Sequence, residues 1–120
     1  MPTSRTNVAS GYPLEESYGY SRAVRVGNQV FVSGTTARFS DLEGDVYVQL
    51  SAAIRLVATA LKGAGADLHH VVRTVVYVVD MDDDHHVARA HAEAFGTSRP
   101  TSTLVQVAAL LRLRPGSKSK

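Results

Sequence analysis

Apolar and polar positions begin to alternate at Ala23-Val24-Arg25-Val26. Gly27-Asn28 then offers residues that tolerate positive φ, and Gln29-Val30-Phe31-Val32-Ser33-Gly34 resumes the apolar run, so the pattern predicts a β-hairpin. Upstream, residues 1 to 19 are polar, rich in turn formers and without a clear period. They read as an N-terminal arm or loop, with order beginning near Tyr20. Residues 38 to 44 read as a loop, and Asp45 is a suitable N-cap. From Val46 to Lys62, Val46, Leu50, Ala53, Ile54, Val57 and Leu61 recur at spacings that put them on one face of a helix, and Gly63 and Gly65 end it. The β-branched run Val71 to Val79 predicts a strand buried on both faces. After a turn over Asp80 to Asp84, a second helix is expected from about Asp84 to Phe95, closed by Gly96. Arg99-Pro100 favours extended backbone, and residues 103 to 108 form another strand candidate.

The predicted order is ββαβαβ. It suggests a single α+β domain over residues 1–120, with two helices covering one face of a mixed sheet. Because Val71 to Val79 is apolar on both sides, the other face is expected to be buried against identical subunits.

Composition narrows the chemistry. The 120 residues include no Cys, which excludes disulfides, thiolate catalysis and cysteine-ligated metals. No apolar run approaches a bilayer span and no apolar signal core follows the first residues, so the expected location is the cytoplasm, without membrane contact. The formal charge is +2, yet Arg112, Arg114, Lys118 and Lys120 all follow Leu111. Residues 1–111 carry nine bases against eleven acids, a balance of −2. The basicity therefore belongs to an atypical tail over residues 112–120. Nucleic acid is not expected as a partner, except nonspecifically through that tail.

Several constellations have plain structural readings. Asp80, Asp82, Asp83 and Asp84 lack the Gly and distant Glu of a calcium loop, and carboxylates before a helix stabilise its positive end. His69, His70, His85, His86 and His91 lack zinc-ligand spacing: neighbouring His side chains are expected to diverge, and His86 and His91 do not share a helical face. No metal or other cofactor is expected. Gly63-Ala64-Gly65 follows a helix rather than preceding one, so it is a stop signal and not a phosphate loop. The residues alone assign no catalytic group.

What remains is an ordered set: Tyr20-Ser21 before the hairpin, Ser33-Gly34 ending it, Gly65-Ala66 after the first helix, Tyr77 to Asp80 closing the apolar strand, and Arg99-Pro100 before the last one. With it the chain resembles the Rid family, the reactive intermediate deaminases formerly described as translation inhibitors or endoribonucleases, over roughly residues 18 to 110. The resemblance implies a chorismate-mutase-like α+β fold, a homotrimer, and clefts between subunits. Active members hydrolyse 2-imino acids, such as 2-iminopropanoate, to 2-keto acids and ammonia without a cofactor. There, an Arg two residues after the Pro of Arg-Pro binds the substrate carboxylate, the Tyr and the Ser-Gly loop line the pocket, and a Glu on a terminal strand positions water.

This chain departs from that pattern. Ser102 stands at the Arg position, Ala88 where an Asn is common, and Leu110 to Pro115 replaces the terminal strand and its Glu. The expected site is thus a cleft lined by Tyr20, Ser33, Gly34, Ser102 and Thr103 that binds a small polar metabolite, with slow or absent turnover of 2-imino acids. A weak or altered imine or enamine hydrolase competes with a noncatalytic ligand-binding or chaperone-like trimer, and a ribonuclease ranks third. Residues 110–114 are expected to supply a short substitute strand, followed by disorder after Pro115.

Overall fold

The computed structural model describes residues 4–111. The hairpin forms as the pattern predicts. β2 (Ala23–Val26) and β3 (Gln29–Val32) pair antiparallel, with Val24 opposite Phe31. Gly27 takes the positive φ of the turn, at +57°; Asn28 does not. The first correction lies upstream. Residues 1–19 are not merely a loop, because β1 (Arg5–Val8) adds an antiparallel edge to β2 and α1 (Pro13–Tyr18) follows. Only Val8 of β1 is apolar, so the strand is fixed by backbone pairing rather than by side-chain period. α1 starts on Pro13 and ends at Gly19, whose φ of +89° suits a residue without Cβ.

α2 (Val46–Gly63) begins where expected, with the Asp45 carboxylate accepting from the Val48 N–H at 2.9 Å. It ends in a Schellman arrangement. The Ala66 N–H donates to the Leu61 carbonyl and the Gly65 N–H to that of Lys62, with Gly65 at φ +82°. α3 (Asp84–Phe95) also matches its predicted span. Of the preceding acids, Asp80 caps a 3-10 turn by accepting from the Asp82 N–H, whereas Asp83 makes no side-chain cap at α3.

β4 (Arg73–Val78) and β5 (Thr101–Gln106) pair in parallel as a second sheet, so strand directions are mixed as expected but the described strands form two sheets rather than one. One expectation fails locally. Arg99 is not extended but has φ +52°, since its N–H closes on the Phe95 carbonyl at 2.8 Å and turns the chain back from α3. Within one chain only the helix-facing side of β4 is covered, and the side expected to be buried against identical subunits is open. Thr74, Val76 and Val78 face the helices, while Tyr77 and Val79 are 53% and 50% exposed. α2 backs the first sheet, where Val8 meets Gly63 and Arg25 donates to the Ala64 carbonyl. α3 backs the second, and the helices pack on each other. Of the substitute strand expected at 110–114, Leu110 and Leu111 are not in a strand, and 112–114 lie outside the described residues, as does the expected disorder after Pro115.

Candidate functional site

The residue just before β2, Arg22, carries a buried charge at the site. Arg22 is 2% exposed, and a guanidinium so placed must be paired and hydrogen-bonded. Its Nε donates to Glu15 Oε2 at 3.1 Å, Nη1 to the Gly34 carbonyl at 2.6 Å and Thr35 Oγ1 at 3.0 Å, and Nη2 to the Tyr20 hydroxyl at 2.9 Å. The Tyr12 and Tyr20 rings flank it. Glu15, itself buried, accepts from the Ser10 N–H and hydroxyl, and Arg38 approaches it at 3.9 Å while donating to Ser10 Oγ. Burial pushes the Glu15 pKa up, but the bonds from Ser10 and Arg22 and the Arg22 charge outweigh it and hold the carboxyl below its ordinary value. Arg22 thus fixes two of the predicted site positions, Tyr20 and Gly34, from behind.

On the face of the first sheet turned away from α2 lies a cavity of about 520 Å³. Arg5, Asn7 and Val24 form its strand wall, Glu15, Glu16 and Gly19 its α1 side, and Tyr20, Ser21 and Ser33 its hydroxyls. Because Tyr20 accepts from Arg22, its own proton is left to donate outward. Ser33 spends its hydroxyl proton on the Ser21 carbonyl at 2.7 Å and its N–H on the Arg22 carbonyl at 2.9 Å. Its oxygen lone pairs remain acceptors, and of the two N–H groups at this turn only that of Gly34 is left as a donor. Ser21 Oγ accepts from Asn7 Nδ2 at 2.9 Å, which frees its proton too. The arrangement can hold a small polar molecule by neutral hydroxyl donors.

Ser102 and Thr103 do not line this cavity; they lie on β5 in the other sheet. Adjacent strand residues point to opposite faces. Ser102, in register with Thr74, faces α3, and Thr103, beside Val75, lies on the open face. Ser102 Oγ, Thr74 Oγ1 and His91 Nε2 form a chain with 2.8 Å at each step. Burial lowers the His91 pKa, so its imidazole is neutral at pH 7, a charge-free contrast to the Arg22 network. The structure therefore joins Tyr20 and Ser33, with Gly34 tied in through Arg22, and leaves Ser102 and Thr103 apart.

Neighbouring His side chains do not diverge. The rings of His69 and His70 are 4.5 Å apart, and those of His85 and His86 4.1 Å, in tilted contact. Ligand atoms of Asp67, His69 and His70 lie within 4.8 Å of one another. They already serve a capping box, however: His70 Nδ1 accepts from the Asp67 N–H, and Asp67 Oδ1 accepts from the His69 N–H while contacting the His69 ring. A metal ion would compete with the turn for these lone pairs.

Sequence reasoning missed Glu15, Arg22, Arg38 and Arg5. An acid and a base seven residues apart, separated by a helix stop at Gly19, were the available signal for the first pair.

A small α+β domain with an open, hydroxyl-lined cavity against an antiparallel sheet defines the class. The family described as Endoribonuclease L-PSP matches residues 13–115. The chain belongs to that family, which is the YjgF/Rid family. It is similar to an uncharacterized protein of Streptomyces coelicolor (42% identity, covering 83% of this chain and 77% of the relative). A mouse protein named 2-iminobutanoate/2-iminopropanoate deaminase is 33% identical over 78% of this chain and 72% of its own. A crystal structure of a YjgF/YER057c/UK114 family member from Mycobacterium tuberculosis superimposes with a TM-score of 0.84 at 46% identity, covering 91% and 89% of the two chains. The chorismate-mutase-like fold expected from the resemblance is thereby established. No helix among the described residues is long and apolar enough to cross a membrane.

Proposed function

We propose that this protein binds a small polar metabolite in the cavity of the first sheet, and that Ser102 and Thr103 of a neighbouring copy complete the cleft in a homotrimer. The observation that carries the reading is the presentation of the Tyr20 and Ser33 hydroxyls to one cavity, the first held in place by buried Arg22. The exposed apolar groups Phe31, Tyr77 and Val79 support assembly, since they are surface that a neighbouring copy would cover. In chemistry the site fits the imine-hydrolase class of its deaminase relatives, with slow turnover, because Ser102 stands where an Arg would bind carboxylate and Leu110 to Pro115 replaces the terminal strand whose Glu would position water. A noncatalytic binder is the second reading, favoured by the commitment of the Ser33 proton and N–H to backbone carbonyls. Ribonuclease chemistry is disfavoured by the exposed Glu16 carboxylate of the cavity, which repels phosphate.

The test is a coupled assay in which an amino-acid oxidase generates 2-iminopropanoate and semicarbazide traps it. The purified protein is expected to suppress semicarbazone formation only weakly. Suppression equal to that of an Arg-bearing deaminase would overturn the slow-turnover reading.

A further inference from the structure

We propose that Arg5 supplies the cation with which the first-sheet cavity binds a monocarboxylate, a role that Ser102 cannot fill. This rests on the reading that the cavity binds a small metabolite, and it names that ligand's charge. Arg5 and Asn7 sit two residues apart on β1, so their side chains share the face of the sheet that forms the cavity wall. The guanidinium is not loose: Nε donates to Asn7 Oδ1 at 3.0 Å, and Asn7 Nδ2 in turn donates to Ser21 Oγ at 2.9 Å. A planar fork anchored through Nε presents its Nη groups, the geometry that pairs with a carboxylate. Among the described residues no acceptor pairs with those Nη groups.

The other two arginines of the region are already engaged. Arg22 is committed to Glu15, Gly34, Thr35 and Tyr20, and Arg38 reaches Ser10 and Glu15. Among the described residues that line the cavity, Arg5 is the cation. The Tyr20 and Ser21 hydroxyl protons, freed because both oxygens accept internal bonds, add neutral donors beside it. Glu15 is neutralised by Arg22, but Glu16 is exposed on the same cavity, so a second carboxylate on the ligand meets repulsion. One carboxylate is favoured and two are not.

The experiment titrates the intact protein at low ionic strength with pyruvate, its neutral amide pyruvamide, and the dicarboxylate oxaloacetate, by ligand-observed NMR. Pyruvate is expected to bind about tenfold tighter than pyruvamide, since a charge-assisted fork exceeds a neutral bond by roughly that factor, and tighter than oxaloacetate, whose second carboxylate meets Glu16. Arg5→Gln should erase the preference over pyruvamide, and Arg5→Lys, which keeps the charge but loses the fork, should retain part of it. Thermal unfolding of both variants checks that the exposed edge strand is preserved. A preference unchanged in Arg5→Gln, or equal binding of pyruvate and pyruvamide to the parent, overturns the role of Arg5 and leaves the cavity reading standing. Binding of none of the three overturns both.

Discussion

The two sheets handle polarity in opposite ways. The first buries a full ion pair: Arg22 and Glu15 satisfy one another and, with Ser10, Tyr20 and Gly34, build a rigid polar wall behind a cavity. The second buries no charge. Its helix-facing polar groups are a neutral chain through Ser102, Thr74 and His91, and its other face presents Tyr77 and Val79 to solvent. Buried ion pairs are weak stabilisers compared with apolar packing, yet costly to break one partner at a time. The first sheet is therefore organised for precise placement of donors, and the second for covering apolar surface.

That contrast can be broken in order of expected effect. Glu15→Gln leaves Arg22 buried without its countercharge and should cost about 3–5 kcal/mol in urea unfolding. A loss below about 1 kcal/mol would mean the network is solvated and not a buried pair. Tyr77→Asp places charge on the open face of β4 and should weaken assembly by about 2 kcal/mol or more, read as dissociation toward monomer by sedimentation; an unchanged sedimentation profile would remove this face from any interface. Thr74→Val, which cuts the neutral chain, should cost only about 1 kcal/mol, and a cost matching that of Glu15→Gln would erase the distinction between the sheets.

The smallest effect is in pH. Both Glu15 and His91 have depressed folded-state pKa values, so each contributes stability that is present above its unfolded value and lost as pH falls through the folded one. For His91 the loss begins below about 6.5 and for Glu15 below about 4.3. His91→Gln should flatten the upper limb of the stability profile and leave the acid limb intact. An upper limb that persists in the variant would assign it to another group.

The hairpin, α2 and α3 were legible because apolar period and stop residues act locally: Val24 and Phe31 alternate, and Gly65 takes the positive φ its position requires. β1 was not legible, since one Val in four residues gives no period and the strand exists only through pairing with β2. Arg99 was misread because the rule for a residue before Pro was overridden by its hydrogen bond to Phe95. Tyr20 and Ser33 are expected at the site through the family resemblance, and both line the cavity. Arg22 and Glu15 were not expected there, because pairing across a helix stop is a tertiary fact that neither charge announces alone. Ser102 and Thr103 are expected at the cleft through the family resemblance, and strand alternation places them on opposite faces of β5 within one chain.

The most direct test of the division between the sheets is a map of backbone amide shifts on adding pyruvate to the isotopically labelled protein. Perturbations are predicted to centre on Asn7, Tyr20, Ser21, Ser33 and Gly34, with weaker changes at Ser102 and Thr103, the residues proposed to close the cleft from a neighbouring copy. Perturbations confined to α2, α3 or the turn over Asp67 to His70, with the first sheet silent, would contradict the account.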